Sequence, residues 1–234
     1  MPPDFDGFRN DYRETLDQAV SFSGQDSDFF ASVKADVLED LTQRLVPARG
    51  GVRALDVGCG PGALARHLAG RVAQLSAVDV SAGLIEKAKA EGAGIDYRTY
   101  DGRTLPFDEG TFDLVFTSNV LHHVKPGERP SFLAQLSRVT RPGGLVVVLE
   151  HNPLNPLTRH VVNRCPFDVD AELSPLRRTR ALLGAVGLRP VESGYFLFFP
   201  FASRWLRAVE RRLAWLPAGA QYYCAARRSG RPNR

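Results

Sequence analysis

Between residues 52 and 70 a short apolar run, VRALDV, breaks into glycines at alternate positions, and a helical pattern, ALARHLAG, follows at once. The alternation then repeats. QLSAVDV (74–80) reads as a second strand, and AGLIEKAKAEG (82–92) as a helix with Leu84, Ile85 and Ala88 on one face. IDYRTY alternates like a third strand, FDLVFTS (112–118) is a fourth, and PSFLAQLSRVT is a helix stopped by Pro142, Gly143 and Gly144. LVVVLE (145–150) is a fifth strand, apolar throughout as a strand buried on both faces is. Strands alternating with helices imply a mostly parallel sheet covered on both sides, so the fold class is α/β, doubly wound. Ahead of this region Phe29, Val33, Val37, Leu38 and Leu41 carry helical spacing that ends near Pro47.

Composition narrows the setting. A chain of 234 residues suffices for one domain of good size, and 44% hydrophobic with 24% charged residues is ordinary for a soluble globular protein. No positively charged start leads into a long apolar run, so no secretory signal is expected. The longest apolar stretch, YFLFFPFA (195–202), is too short to span a bilayer. Cys59, Cys165 and Cys224 lack CxxC spacing, which favours reduced thiols in a cytoplasmic compartment. The net charge of +4 is modest. Arg227, Arg228, Arg231 and Arg234 crowd the end of the sequence, and residues 228–234 read as a solvated, flexible basic tail. No RNA-binding motif supports nucleic acid as a partner.

Ligands of doubly wound sheets sit beyond the carboxyl ends of the strands. The glycine stretch therefore belongs at that mouth. Gly58, Gly60 and Gly62 solve a tight turn, or they bring main-chain N–H groups close to a ligand. Their order is G-x-G-x-G after Asp56, whereas a dinucleotide loop has G-x-G-x-x-G. Asp79 stands at the end of the second strand, where an acid reaches ribose hydroxyls. The pattern points to an adenosine-bearing ligand held by a loop not shaped for pyrophosphate.

LDVGCGPG, VDVS, DGRTLPFDEGTFDLVFTSNVLHHV and RPGGLVVV, in this order and spacing, resemble the class I S-adenosylmethionine-dependent methyltransferases. The small-molecule group that includes ubiquinone and menaquinone biosynthesis enzymes is the nearest in kind. The resemblance covers about residues 50–150. It implies S-adenosyl-L-methionine as cofactor and a Rossmann-like, seven-stranded, mostly parallel sheet with an antiparallel last strand. GLRPVESGYFLFF and AQYYCAARR are candidates for the last two strands. By the same resemblance Asp56, Gly58, Cys59, Gly60 and Gly62 would cradle the methionine and ribose portions. Asp79, with Val80 beside it, would take the ribose, Asp101 with Gly102 the adenine, and Asn119 would lie near the sulfonium. Residues 1–50 would form a helical lid, 51–150 the cofactor-binding core, and 151–227 the substrate-facing segment and the rest of the sheet.

A sulfonium already carries an activated methyl, so the protein needs chiefly to align an acceptor and exclude water. A hydroxyl acceptor also needs a base. His151, after the fifth strand, is the expected base with Glu150 orienting it, and His123 is the second candidate. The His122-His123 pair also reads as a structural turn. Adjacent histidines are expected to point different ways, so no metal is expected, and Asp168 and Asp170 read equally well as a polar loop. Tyr12, His122, Glu150, His160, Asn163 and Arg164 are the expected contacts of a small-molecule acceptor, aromatic or lipid-like. Phe5 and Phe8 would join Tyr12 in the lid, or simply pack helices. The stretch YFLFFPFASRWLRAVERRLAWL reads as core, with peripheral membrane contact as its alternative. The expected activity is O-methylation of a biosynthetic intermediate. Its rivals are a cofactor-binding enzyme with a non-methylating reaction such as cyclisation, and a non-catalytic partner subunit.

Overall fold

The computed structural model describes residues 12–47, 50–92, 94–200 and 204–230, and Phe5, Phe8, Arg231 and Arg234 lie outside them. Helices α1 (Tyr12–Val20) and α2 (Ser27–Leu45) precede an alternating core. That core comprises β1 (Arg53–Val57), α3 (Ala63–Leu68), β2 (Gln74–Asp79), α4 (Ala82–Ala90), β3 (Asp96–Thr99) and β4 (Phe112–Ser118). It continues through α5 (Arg129–Val139), β5 (Thr140–His151), α6 (Pro156–Val162) and α7 (Leu176–Ala185). The last elements are β6 (Leu188–Phe196), α8 (Arg204–Leu213) and β7 (Gln221–Arg228). The sheet order is β3-β2-β1-β4-β5-β7-β6, with β7 antiparallel to both its neighbours. The expected seven-stranded, Rossmann-like sheet is therefore present.

Alternation along the strands divides the core into two layers. On one side Ala54, Leu114, Phe116, Val147 and Leu149 meet Phe29, Val33, Leu38 and Leu41 of α2 and Leu64 and Leu68 of α3. On the other side Leu55, Val57, Val115, Val146 and Val148 meet Leu133, Leu136 and Val139 of α5 and Leu183 of α7. Helix α2 starts where Asp26 accepts a hydrogen bond from the Phe29 N–H at 2.9 Å, satisfying one of the donors a helix start leaves unpaired.

Two boundaries differ from expectation. Pro142, Gly143 and Gly144 do not follow the end of α5 as a breaker. Thr140 caps that helix, and the three residues already belong to β5, where the pairing with β4 shifts register between Phe112 and Leu114. Gly144 allows this close approach, because a Cβ there would lie 2.8 Å from Thr140 Cγ2 and 2.9 Å from the Asp113 carbonyl. Gly144→Ala is expected to destabilise the fold by about 1–3 kcal/mol through overpacking, read from the midpoint of urea unfolding. The second difference is Arg228, expected in the basic tail but part of the last strand. Arg227 is in β7 and donates to the Gly143 and Leu45 carbonyls at 2.8 Å each. Arg228 ends β7, donating to the Arg138 carbonyl at 2.9 Å and the Thr140 carbonyl at 2.6 Å. All three cysteines are buried and free, and no described helix is long and apolar enough to cross a membrane.

Candidate functional site

The carboxyl ends of β1, β2, β4 and β5 open onto one mouth, and the glycine loop lies over it. Gly58, Gly60 and Gly62 all have positive φ, of 80°, 54° and 81°. At Gly58 a Cβ would overlap the Val120 side chain, so only glycine lets the loop lie against the turn after β4. At Gly60 a Cβ would only reach ordinary contact with the Tyr12 hydroxyl, 3.5 Å away, so there it is the positive φ that favours glycine. Asp79 holds the loop's shape: its Oδ2 accepts from the Gly60 N–H at 2.8 Å and its Oδ1 from the Ser81 N–H at 3.0 Å.

Asp56 is different. It is buried, and neither carboxylate oxygen has a hydrogen-bond partner among the described residues. Burial, with Asp79 nearby, pushes its carboxyl up to about 8, against the pull of Lys34. A buried acid in this state suits a cationic ligand, which would satisfy both oxygens. The buried Asn119 Oδ1 also lacks a partner among the described residues, on a residue held at φ 56° with its N–H bonded to the Leu149 carbonyl at 2.9 Å. Two unpartnered polar groups fit a ligand with a cationic centre and several hydrogen-bonding groups, as S-adenosylmethionine has, while the N–H groups of Gly58, Cys59, Gly60 and Gly62 are already bonded within the protein. Farther out, Val80 is exposed beside Gly102, and Asp101 is exposed with its Oδ1 accepting from the Arg103 and Thr104 N–H groups at 2.8 and 2.7 Å. The Cys59 thiol is buried, and desolvation with Asp56 beside it pushes it well above the ordinary range.

The ends of β4 and β5 carry a second cluster. Glu150 is buried and accepts from the Leu121 N–H at 2.7 Å, while His122 Nδ1 lies 2.6 Å from its other oxygen. His122 Nε2 lies 3.2 Å from Asp168 Oδ1, and His123 Nε2 lies 3.4 Å from the same atom. Burial opposes a charge on His122, but Glu150 and Asp168 outweigh it and raise its pKa to about 9. His123 and His151 go the other way. Burial, then the His122 charge, pushes each down to about 4. The His151 ring is 5.4 Å from that of His122.

The expectation that neighbouring histidines diverge does not hold. The rings of His122 and His123 are 4.1 Å apart and share one carboxylate oxygen. The segment after β5 also meets the site through other residues than expected. His160, Asn163 and Arg164 are exposed on α6 and just beyond it, while Asp168 and the buried Phe167 face the histidines and Tyr12. Tyr12 stacks on Phe167 with ring centroids 4.7 Å apart, and so bridges the glycine loop and the segment carrying Asp168. Burial first, then Asp79 and Asp168, raises the Tyr12 hydroxyl above the ordinary tyrosine range.

Two residues of the site, Phe167 and Lys34, lie outside the sequence motifs. Lys34, on α2, is pushed down to about 8 by burial, and Glu150 and Asp56 act on it in the opposite direction. Its signal was a lysine in step with Leu38 and Leu41, four and seven residues on, along a stripe that otherwise enters the core.

Residues 55–148 match the methyltransferase domain family. A 2-phytyl-1,4-naphtoquinone methyltransferase from Nostoc punctiforme is 30% identical over 64% of this chain and 69% of its own length. An uncharacterized methyltransferase from a Mycobacterium species is 32% identical over 64% of this chain and 58% of its own. Several of the curated relatives are matched over about half their length. Among solved structures, an S-adenosylmethionine-dependent methyltransferase from Thermotoga maritima, described as a possible histamine N-methyltransferase, superposes with a TM-score of 0.69. That superposition covers 96% of this chain and 98% of the other, at 18% sequence identity.

Proposed function

We propose, on the premise that the chain belongs to the class I S-adenosylmethionine-dependent methyltransferases, that it methylates an oxygen of a small-molecule biosynthetic intermediate. S-adenosylmethionine is the cofactor and supplies a methyl already activated on a sulfonium. The observation that carries the reading is the pairing of Asp56, with its two unpartnered oxygens, and the histidine–carboxylate cluster across one mouth. Asp56 and Asn119 take the cationic, methionine end of the donor. The loop backbone at Gly58, Cys59, Gly60 and Gly62 follows its contour, Asp79 and Val80 take the ribose, and Asp101 with Gly102 the adenine edge. Tyr12 closes over the loop and, with Phe167, keeps water from the reacting centre.

The acceptor enters from the side of Asp168 and the histidines. His151 faces it from the end of β5. Glu150, expected to orient His151, is buried on His122 and the Leu121 N–H instead, and the aromatic Tyr12–Phe167 pair offers a flat surface to an aromatic or lipid-like body. The quinone named for the Nostoc relative has that shape, and its reduced, hydroxyl-bearing quinol form is the one whose oxygen could take a methyl and release a proton. With the methyl already activated, alignment of the acceptor oxygen along the C–S bond carries most of the rate.

The test is incubation of the purified chain with S-adenosylmethionine and a panel of quinols and phenols, reading S-adenosylhomocysteine release and methyl incorporation together. His151→Gln is expected to lower turnover by roughly 10²-fold, the range for losing an acceptor-side proton or hydrogen-bond partner, with donor affinity unchanged by calorimetry. Product formed without S-adenosylhomocysteine would replace this reading with a non-methylating reaction. Unchanged turnover in the variant would remove His151 from the acceptor side.

A further inference from the structure

The turn after β4 does something unusual with two adjacent side chains. The His123 N–H bonds to the Val120 carbonyl at 2.9 Å and the Val124 N–H to the Leu121 carbonyl at 3.2 Å, so the backbone coils and the two rings swing to the same side. Both Nε2 atoms then approach Asp168 Oδ1, at 3.2 and 3.4 Å, and the three ligand atoms all lie within 4.8 Å of one another. These two separations are longer than a charge-assisted N–H···O bond, which runs about 2.7–2.9 Å. They match the edge of a ligand shell instead: bonds of about 2.0–2.1 Å from a tetrahedral ion put its ligands roughly 3.3 Å apart.

The surroundings are those of a supported site. His122 meets the buried Glu150 through Nδ1 at 2.6 Å, the outer carboxylate that fixes ring orientation in metal-binding histidines. Glu150 is itself held by the Leu121 N–H. Asp168 is held by its chain: the Glu172 N–H bonds to the His122 carbonyl at 3.0 Å, and Arg129 grips the Glu172 carbonyl at 2.8 Å.

We infer that His122, His123 and Asp168 form a binding site for a divalent first-row transition ion, of the zinc, manganese or iron class, at the acceptor side of the mouth. Two imidazoles and one carboxylate are a donor set for these ions, whereas magnesium and calcium take oxygen ligands. Three protein ligands leave coordination positions open, and an acceptor oxygen is the group that would fill one. That last role rests on the methyltransferase reading. Ion binding itself does not. The competing arrangement is a proton shared between His122 Nε2 and Asp168.

The full chain, stripped with a chelator and dialysed, would be titrated with Zn²⁺ by calorimetry and with Co²⁺ by visible absorption. One Zn²⁺ per chain with micromolar or tighter affinity is expected, with Co²⁺ bands of a nitrogen–oxygen site. Asp168→Asn and His123→Ala should each weaken Zn²⁺ binding by at least about 100-fold. S-adenosylmethionine affinity, measured in the same variants, reports that each is folded. Absence of a stoichiometric site in the wild-type chain overturns the inference, and so does Zn²⁺ affinity unchanged in both variants. If the stripped chain methylates as fast as the metal-loaded chain and binds no ion, the inference fails while the methyltransferase reading stands. If Zn²⁺ binds as described but no acceptor is methylated, the site stands and that reading is the one in question.

Discussion

Asp56→Asn is expected to weaken S-adenosylmethionine binding by about 100-fold and, without the donor, to make the protein more stable than wild type at pH 8. Both effects have one cause. The carboxyl is buried with neither oxygen paired among the described residues, so a bound cation is what justifies its charge. Loss of a charge-assisted contact to such a group is worth roughly 1.5–3 kcal/mol. The stability change follows from linkage. Folding raises the Asp56 pKa to about 8, by burial first and then by Asp79. Between the ordinary aspartate value and 8 the unfolded chain has released this proton and the folded chain has not. Stability is therefore lost as pH rises through that window, and the loss is complete above it. Lys34, lowered to about 8, acts only from there up to the ordinary lysine value. His122, raised to about 9, and His123 and His151, lowered to about 4, titrate across the same window in both proteins, so the difference between wild type and variant is what reports Asp56. Thermal unfolding of both proteins from pH 5 to 8 should show wild type falling relative to the variant by about 4 kcal/mol, roughly 1.4 for each pH unit of the window. If the variant binds donor as tightly as wild type, Asp56 lies outside the donor site.

Arg129→Leu should cost about 3 kcal/mol of stability and detach the Asp168 segment as well. The residue is only 1% exposed, and its guanidinium has no carboxylate within hydrogen-bond reach among the described residues. It donates instead to the Val124 carbonyl at 2.9 Å, and to Ser174 Oγ and the Glu172 carbonyl at 2.8 Å each. Removing it leaves buried acceptors unpaired, at roughly 1–3 kcal/mol for each one that water does not reach. Two of those acceptors belong to the segment that brings Asp168 to the histidines. Arg129→Lys cannot span three acceptors and should recover only part of the loss. Urea unfolding measures the first effect, and hydrogen exchange across 165–175 the second. A loss under about 1 kcal/mol would mean that the segment is held elsewhere.

What could be read without coordinates was whatever short-range pattern dictates. FDLVFTS is β4 to the residue, because alternation and the flanking turn residues lie within one window. The stripe through Phe29, Val33, Leu38 and Leu41 is the buried side of α2 for the same reason. The glycine loop was legible through its spacing and its place after an apolar run. The histidine–carboxylate cluster was not. His122 and Asp168 are 46 residues apart, and neither carries a periodicity that marks the other as its partner. The segment after β5 was recognised as facing the mouth, yet its polar residues chosen from composition, His160, Asn163 and Arg164, are the exposed ones. The turns around Cys165–Asp168 rotate Phe167 and Asp168 inward, and such rotation is set by backbone hydrogen bonds that composition does not encode.

The strand order also dictates when the sheet can close. The last strand in sequence, β7, is not at an edge: it fills the slot between β5 and β6. During synthesis β6 therefore emerges with no ladder to join, and β5 keeps an open, apolar edge, until residues 221–228 leave the ribosome. For that interval the nascent chain carries the kind of unpaired strand that other chains can extend. The step that ends it pairs Leu145 with Arg227 and His151 with Gln221, contacts long in sequence and slow to form. The same late zipper draws Gln221 up beside His151, so the histidine end of the mouth is among the last parts of the molecule to take shape.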